Sequence, residues 1–404
     1  MHAAMLAALG LFALTAARGL RAQVSAVTRA DAVAAALARG PRLAIARADS
    51  GAALALARVA RQFENPVLGL LRTESVPREH YTLDVPLNVP WLRSVRVGAA
   101  DAALRAASHR YAFEREAVAY DADTAYTRAL VAAARSRHSA RSARDADSLL
   151  ALARVRREAG DASELDLQLA GVSAGQVANS AAADSLEATT ALLNLQAIMG
   201  RTSAEATITL ADSLEAAPSP GPPAAGTPLL VAAADANARA AELALTLERR
   251  RLFPAPSVTI GYETRDPGGT GNRTLPSIGL ALPLPLLNQN RGAIAAASAQ
   301  RDRSAAALAL ARVEQAQALA RAQRALVVAR VRAARSGQLV AAADRVAVLS
   351  LLAYQEGAAA LPAVLEAQRT ARGSLAQHLD DLAAARNAAG LVKLLSLTAN
   401  PTEP

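Results

Sequence analysis

Two stretches of the chain change abruptly from a strand-like to a helix-like hydrophobic pattern. Residues 83–107 read LDVPLNVPWLRSVRVGAADAALRAA, and residues 280–301 read LALPLPLLNQNRGAIAAASAQR. In the first part of each stretch, large apolar residues alternate with small residues, polar residues or proline, as in a strand with one apolar face. The second part is rich in alanine, the best helix former. Each stretch therefore predicts a strand that is joined directly to a helix.

Most of the remaining pattern predicts helix, and two of the helices are unusually long. Each long helix ends at a glycine-containing break and is followed by a return helix. A helix of 60 residues would be about 90 Å long at a rise of 1.5 Å per residue, which is far longer than an ordinary globular helix. The predicted helices are 29–62 with a break at 39–41, about 95–158, 165–199, 229–252, 293–355 and 363–397.

Four strands are predicted, at 67–75, 81–91, 257–265 and 275–286. Strands of about ten residues with one apolar face are typical of transmembrane β-barrels, although a soluble, half-buried sheet shows the same alternation. Tyr81 and Trp91 would lie at the two ends of one strand, as interfacial aromatic residues do. Four strands cannot close a barrel, so other copies would have to complete it. The residues predicted to face lipid are Leu83, Val85, Leu87, Ile278, Leu280 and Leu282.

The order helix, strand, strand, long helix, turn, helix occurs twice, which predicts a tandem repeat. Pro66 corresponds to Pro256, and Gly160 corresponds to Gly357. The first repeat would cover 23–217 and the second 229–404, with a linker rich in proline and glycine at 218–228.

The N-terminal residues 1–22 have the apolar run and small-residue end of a secretory signal peptide, with a buried N-terminal helix as the alternative. No later segment has 18 uninterrupted apolar residues, so no transmembrane helix is expected after Ala22. The absence of cysteine excludes disulfides, thiolate metal sites and an acylated N-terminal cysteine. The net charge of +9 comes from arginines scattered among acids, which indicates solvated helix faces instead of a nucleic-acid surface.

Candidate chemistry is sparse. The five histidines have no partner at metal-ligand spacing, and no combination of serine, histidine and acid suggests catalysis, so we expect no metal, no cofactor and no enzyme activity. Acidic residues cluster near the two helix breaks. Two interpretations remain open for them: favourable charge at the start of the return helices, or a ring of carboxylates that favours cations at a channel entrance. These possible entrance acids are Glu158, Glu164, Asp166 and Glu366.

The joint LALPLPLLNQNRGAIAAASAQ and the C-terminal YQEGAAALPAVLEAQRTARGSLAQHLDDLAAARNAA resemble the TolC-like outer-membrane efflux protein family, as does RREAGDASELDLQLA in the first half. The resemblance covers essentially the whole mature chain. It implies a mainly α fold with transmembrane β structure: a homotrimer whose 12-stranded β-barrel, four strands per chain, is continued by a long periplasmic α-helical barrel. The implied function is a passive channel that conducts small molecules or metal ions from the periplasm to the exterior.

The resemblance also implies partners and a place for them. The channel would work in a tripartite system with a periplasmic adaptor (membrane fusion) protein and an inner-membrane pump. The turns would form the periplasmic tip and contact the adaptor through Gly160, Asp161, Glu356 and Gly357. The short joint and the YQEG turn favour the heavy-metal efflux branch. The alternative function is a soluble periplasmic coiled-coil adaptor or scaffold, whose sheets would carry polar residues on their outer faces.

Overall fold

In the computed structural model of the chain, the described residues are 25–74, 78–215, 226–253, 255–264 and 274–399. The predicted signal peptide, most of the predicted linker and nearly all of the turn between the third and fourth strands lie outside them.

The described chain is mostly helical, and two of its helices exceed 60 residues. In chain order the elements are β1 Ser25–Val27, α1 Arg29–Arg39, α2 Pro41–Arg61, β2 Val67–Arg72, β3 Glu79–Pro86, α3 Pro90–Glu158, α4 Glu164–Ile198, β4 Ile208–Leu210, α5 Leu229–Arg250, β5 Ser257–Thr264, β6 Leu275–Ala281, α6 Arg291–Gln355 and α7 Leu361–Leu395.

Local sequence explains where several helices begin. Thr28 and Ser163 each start a helix with a capping box. The hydroxyl oxygen of the cap residue accepts a hydrogen bond from the backbone amide of Asp31 or Asp166, and the carboxylate of that aspartate accepts one from the backbone amide of the cap residue. The bonds to Thr28 lower the pKa of Asp31. Proline, whose missing amide hydrogen costs nothing in a first turn, begins α2 and α3 at Pro41 and Pro90.

The strands form two separate sheets. Strands β2, β3, β5 and β6 form one antiparallel sheet in that order. Strands β1 and β4 form a short parallel pair. The central pairing of the larger sheet, β3 with β5, joins strands from the first and second halves of the sequence.

The described chain divides into two compact units, and each takes segments from both halves of the sequence. The first unit contains 25–40, 118–215 and 324–390, and its core includes Tyr126, Leu195 and Met199 packed among alanines. The second contains the larger sheet together with 41–117, 226–253, 274–323 and 391–399, and Leu245 is fully buried there. Small core residues let helix backbones approach closely, which is how an alanine-rich sequence can bury its helices.

The predicted helices are confirmed to within a few residues at most ends. The long helix α3 begins five residues earlier than predicted, at Pro90. Among the described helices, α6 alone is long and apolar enough to cross a membrane, with an 18-residue window of mean hydropathy 1.3. This window is not an uninterrupted apolar run, because a mean hydropathy of 1.3 over 18 residues also includes polar side chains.

Candidate functional site: the sheet and the helix turns

The larger sheet has one apolar face, as its sequence pattern predicts. Its register aligns Leu68, Leu83, Ile260 and Ile278 in one row across all four strands. Side chains alternate between the two faces of a strand, so residues two positions away share this face. It is open to solvent, since the side chain of Ile278 is 83% exposed. Other members of the face are Leu70, Tyr81, Val85, Val258, Tyr262 and Leu280.

The opposite face carries the polar side chains of the two central strands, although Val67 and Leu71 of β2 are exposed on it as well. Asp84 accepts a hydrogen bond from the hydroxyl of Thr259 on the neighbouring strand. His80 and Glu263 are directly opposite each other on β3 and β5, and Nδ1 of His80 lies 3.2 Å from Oε1 of Glu263. A sheet that is apolar on one exposed face and polar on the other can separate lipid from water.

The two outer strands of the sheet leave one side of their backbone without a strand partner in the described chain. Strand β2 pairs only with β3, and β6 pairs only with β5. Unpaired amide and carbonyl groups at such an edge are expensive in lipid and a template for another strand in water. The sheet is therefore an incomplete structure that another chain can extend.

The second and fourth predicted strands, 81–91 and 275–286, extend five residues beyond the strands that the structure contains, and three of the residues singled out in the sequence lie in these extensions. Strand β3 ends at Pro86 and β6 ends at Ala281, so Leu87 and Leu282 follow the strands, and Trp91 lies in the first turn of α3. Proline has no amide hydrogen to donate to a ladder, and prolines at 86, 90, 283 and 285 stop the pairing although the apolar alternation continues. The predictions that Leu87 and Leu282 lie in strands, and that Trp91 ends one, are wrong; that Leu87 and Leu282 face lipid stays a prediction.

The helix turns at Gly160 and Gly357 have the same backbone structure. Both glycines have positive φ, +86° and +76°. The amides of Asp161 and Ala358 donate to the carbonyls five residues earlier, at 2.8 and 2.7 Å, and the glycine amides donate to the carbonyls three residues earlier. These are Schellman motifs, which satisfy the last carbonyls of a helix and reverse the chain. The predicted role of both glycines in ending the long helices is thus observed.

The structure brings the two turns together through Arg156 and Tyr354, which sequence analysis missed. Nη1 of Arg156 donates to the carbonyl oxygen of Tyr354 at 2.7 Å, and its guanidinium carbon lies 4.8 Å from the centre of the Tyr354 ring. Tyr354 is buried with Leu361 and Val364 in a cluster that includes residues of α3 and α4. The only available signal was an aromatic residue beside a helix break in a chain with few aromatics.

The acidic residues near the turns divide into two groups. Asp166 belongs to the Ser163 capping box. Glu164 accepts bonds from Gln168 at 2.9 Å and from Arg157 at 3.3 Å, and these bonds, that of Gln168 first, lower the pKa of its carboxyl group. These two residues therefore stabilise the start of α4 locally. The others lie exposed at the surface: Glu158, Asp161, Glu356 and Glu366.

A cavity of about 320 Å³ lies between α3, α6 and α7 and is lined by His138, Asp145 and Arg372 among others. Burial lowers the pKa of the His138 imidazole and of the Arg372 guanidinium. The described residues contain no group of three or more potential metal ligands. This cavity thus lacks the ligands of a metal centre.

Comparison with solved structures places this geometry among known folds. A membrane protein from Pseudomonas aeruginosa matches with a TM-score of 0.78 at 21% identity, over 91% of this chain and 93% of that one. The outer membrane protein VceC from Vibrio cholerae matches with a TM-score of 0.74 at 18% identity, over 92% and 96% of the two chains. The CmeC outer membrane channel from Campylobacter jejuni matches with a TM-score of 0.78 at 12% identity, over 93% and 87%.

The chain has the fold of a TolC-like outer-membrane channel. These matches cover 91–93% of this chain. No model of a known protein family matches the sequence. No curated protein matches it either. The likeness to these channels is therefore one of structure, with low sequence identity.

Proposed function

We propose that the protein is the outer-membrane channel of a tripartite efflux or export system, which passively conducts small molecules or metal ions from the periplasm to the exterior. The observation that carries this proposal is the larger sheet. Its apolar face is exposed, its other face is polar along the two central strands, and both of its edges lack a strand partner in the described chain. The channel fold of the chain supports the same function.

Lipid is the environment that suits the apolar face. The exposed members of this face include Leu68, Ile260, Ile278 and Leu280, all more than half exposed. In water, such a face would promote aggregation or association. In a bilayer it would contact acyl chains, while Asp84 and Glu263 would face an aqueous lumen.

Closure of the sheet requires further copies of the chain. The four strands alternate in direction, so β6 of one copy can pair antiparallel with β2 of the next. Three copies would give a barrel of 12 strands, an even number, as bacterial outer-membrane barrels have. Each open edge would then be paired, which removes the cost of unpaired backbone groups in lipid.

The long helices would form the aqueous continuation of this barrel in the periplasm. The turns at Gly160 and Gly357, with the neighbouring Asp161 and Glu356, would form the periplasmic tip, contact the adaptor and admit cargo delivered by the pump. The exposed Glu158 and Glu366 would add negative charge near this entrance. The two halves, 23–217 and 229–404, would derive from duplication of one unit of helix, strand pair and helix hairpin.

A soluble periplasmic adaptor or scaffold is the alternative function. Such a protein would need polar residues on the outer face of its sheet, whereas the face of this sheet is lined by leucine, isoleucine, valine and tyrosine. The channel therefore accounts for the sheet, and the adaptor does not.

Cell fractionation tests the proposal. We expect the full-length protein in the outer-membrane fraction, extractable only with detergent, and running as a trimer that heating converts to monomer. Recovery of the protein from the soluble periplasm without detergent would contradict the channel function and favour the adaptor.

A further inference from the structure

The four places where strands meet helices form one continuous surface, which we call the joint band. It consists of residues 61–66, 87–96, 249–253 and 282–291, all in the unit that holds the larger sheet. Because the sheet is antiparallel, these segments meet it at the same end of every strand. Hydrogen bonds that connect successive segments are Arg96 Nη2 to Gln62 O (3.4 Å), Arg250 Nη1 to Trp91 O (2.6 Å) and Asn290 Nδ2 to Glu248 O (2.8 Å).

Large apolar residues are exposed throughout the joint band. The chain has only four phenylalanines and one tryptophan, and the band holds Phe63, Phe253 and Trp91. These side chains are 71%, 68% and 47% exposed. Amphipathic aromatic residues of this kind concentrate where a membrane meets water. The exposed leucines of the band are Leu87, Leu282, Leu284, Leu286 and Leu287.

The joint band is also strongly basic. Residues 61–66, 87–96, 249–253 and 282–291 contain seven arginines and one acidic residue, Glu64, a formal charge of +6; Glu248, immediately before the third segment, pairs with Arg251 and reduces it to +5 when counted. The segments at the opposite end of the strands, 72–79 and 263–275, contain four arginines and four acidic residues by sequence, a formal charge of zero. The positive charge of the sheet region is therefore confined to the helix-joined end of the strands.

Two of these arginines make neither an ion pair nor a hydrogen bond with any residue that the structure describes, whereas the other five make one or the other. Arg93 stacks its guanidinium 5.6 Å from the centre of the Phe63 ring. Arg249 is exposed at the end of α5. By contrast, Arg61 is 2.7 Å from Asp101, and Arg251 is 2.6 Å from Glu248. Arg93 and Arg249 are thus positive charges available to an external anion.

We propose that the joint band binds the headgroups of anionic phospholipids on the periplasmic side of the membrane, with its aromatic residues at the level of the headgroups and its arginines on the phosphates. The inference rests on the proposed function, since it needs the sheet to lie in a bilayer. Guanidinium groups bind phosphate oxygens in a bidentate manner, and basic residues beside a membrane attract anionic lipid. A band that is apolar and basic together fits a lipid surface, because a free phosphate ion would use the arginines only.

The single tryptophan makes a direct test possible, because Trp91 lies within the joint band and its fluorescence reports on that surface alone. The full-length trimer would be reconstituted with phospholipids brominated on their acyl chains, which quench tryptophan on contact. The measurement is the relative binding constant of brominated phosphatidylglycerol over brominated phosphatidylcholine. We expect quenching by both lipids and a preference of at least about fivefold for the anionic one, since one charge near a membrane surface contributes about that factor.

The test variant replaces the two arginines that make neither an ion pair nor a hydrogen bond, Arg93→Gln with Arg249→Gln, and should lose most of the preference while quenching persists. Arg250 is left intact because it bonds to the backbone of the reporter residue. The matched control removes two charges at the other end of the strands, Arg72→Gln with Arg78→Gln, and should keep the preference.

Equal binding of the two lipids by the wild-type protein would overturn the proposal, and so would an equal loss of preference in the control variant. Absence of quenching by either lipid would place the joint band outside the bilayer and would overturn it too. The conductance of the same reconstituted protein is measured as well. A trimer that conducts but shows no lipid preference would refute the headgroup site and leave the proposed channel function standing.

Discussion

At the scale of single residues, glycine determines where the long helices end. Gly160 and Gly357 occupy the left-handed region of φ, which costs other L-residues about 1–2 kcal/mol. An added Cβ at Gly160 would meet no atom within 4 Å, so the requirement there is backbone conformation and not space. The two Schellman motifs allow each helix hairpin to turn within a few residues.

We predict that Gly160→Val together with Gly357→Val abolishes export but leaves membrane insertion largely intact. Valine is β-branched and disfavours positive φ, so both turns must change shape, while the strands are untouched. Efflux from cells is measured beside the yield of trimer in outer-membrane extracts. Gly373→Ala, in the interior of α7 with no atom within 4 Å of the added Cβ, is the matched control and should preserve both. Normal export by the double variant would show that the turns are not the docking and opening site.

Sequence reasoning located both turns because helix breaks have local signals. Glycine followed by a serine or threonine cap, or by proline, marks the end of one helix and the start of the next, and such signals do not depend on distant residues. The contact of Arg156 with Tyr354 could not be predicted in this way. The two residues are 198 positions apart, and only the packing of both hairpins brings them together.

At the scale of elements, the hydrophobic pattern predicts that the strands exist but not where they end. Alternation continues past Pro86 and Ala281, so the pattern predicts strands that run to Trp91 and Leu286, but the ladder ends at the prolines. The pairing of β3 with β5 is a non-local feature that alternation alone does not specify. Strand β1 was missed because it is three residues long, and tertiary contacts hold it, among them a 2.9 Å bond from the Tyr126 hydroxyl to Val27 O.

The two faces of β6 predict opposite effects of the same substitution. Ile278→Arg places a charge on the apolar face at the centre of the strand and should destabilise the inserted trimer by about 2–4 kcal/mol. Ser277→Arg, one residue away, places the same charge at an exposed position of the opposite face and should have little effect. The yield of trimer that heating converts to monomer measures both. Equal yields from the two variants would contradict the assignment of the faces.

At the scale of the whole molecule, the described sheet is incomplete, and under the proposed function assembly completes it. Its sheet has two open edges and an uncovered apolar face, and both deficiencies are removed if three copies close a barrel in a membrane. The fold was predictable from sequence because the resemblance rests on the joint and turn motifs and on the order of elements, although identity to the solved structures is only 12–21%.

The most direct test of the central claim is electrical recording from the purified full-length protein in a planar lipid bilayer. We predict discrete, repeatable conductance steps when the detergent-solubilised trimer is added, and none when the heat-dissociated monomer or the Ile278→Arg variant is added. Stable insertion of the wild-type trimer without any conductance step, or steps of equal size and frequency from the heat-dissociated monomer, would contradict a channel formed by three chains.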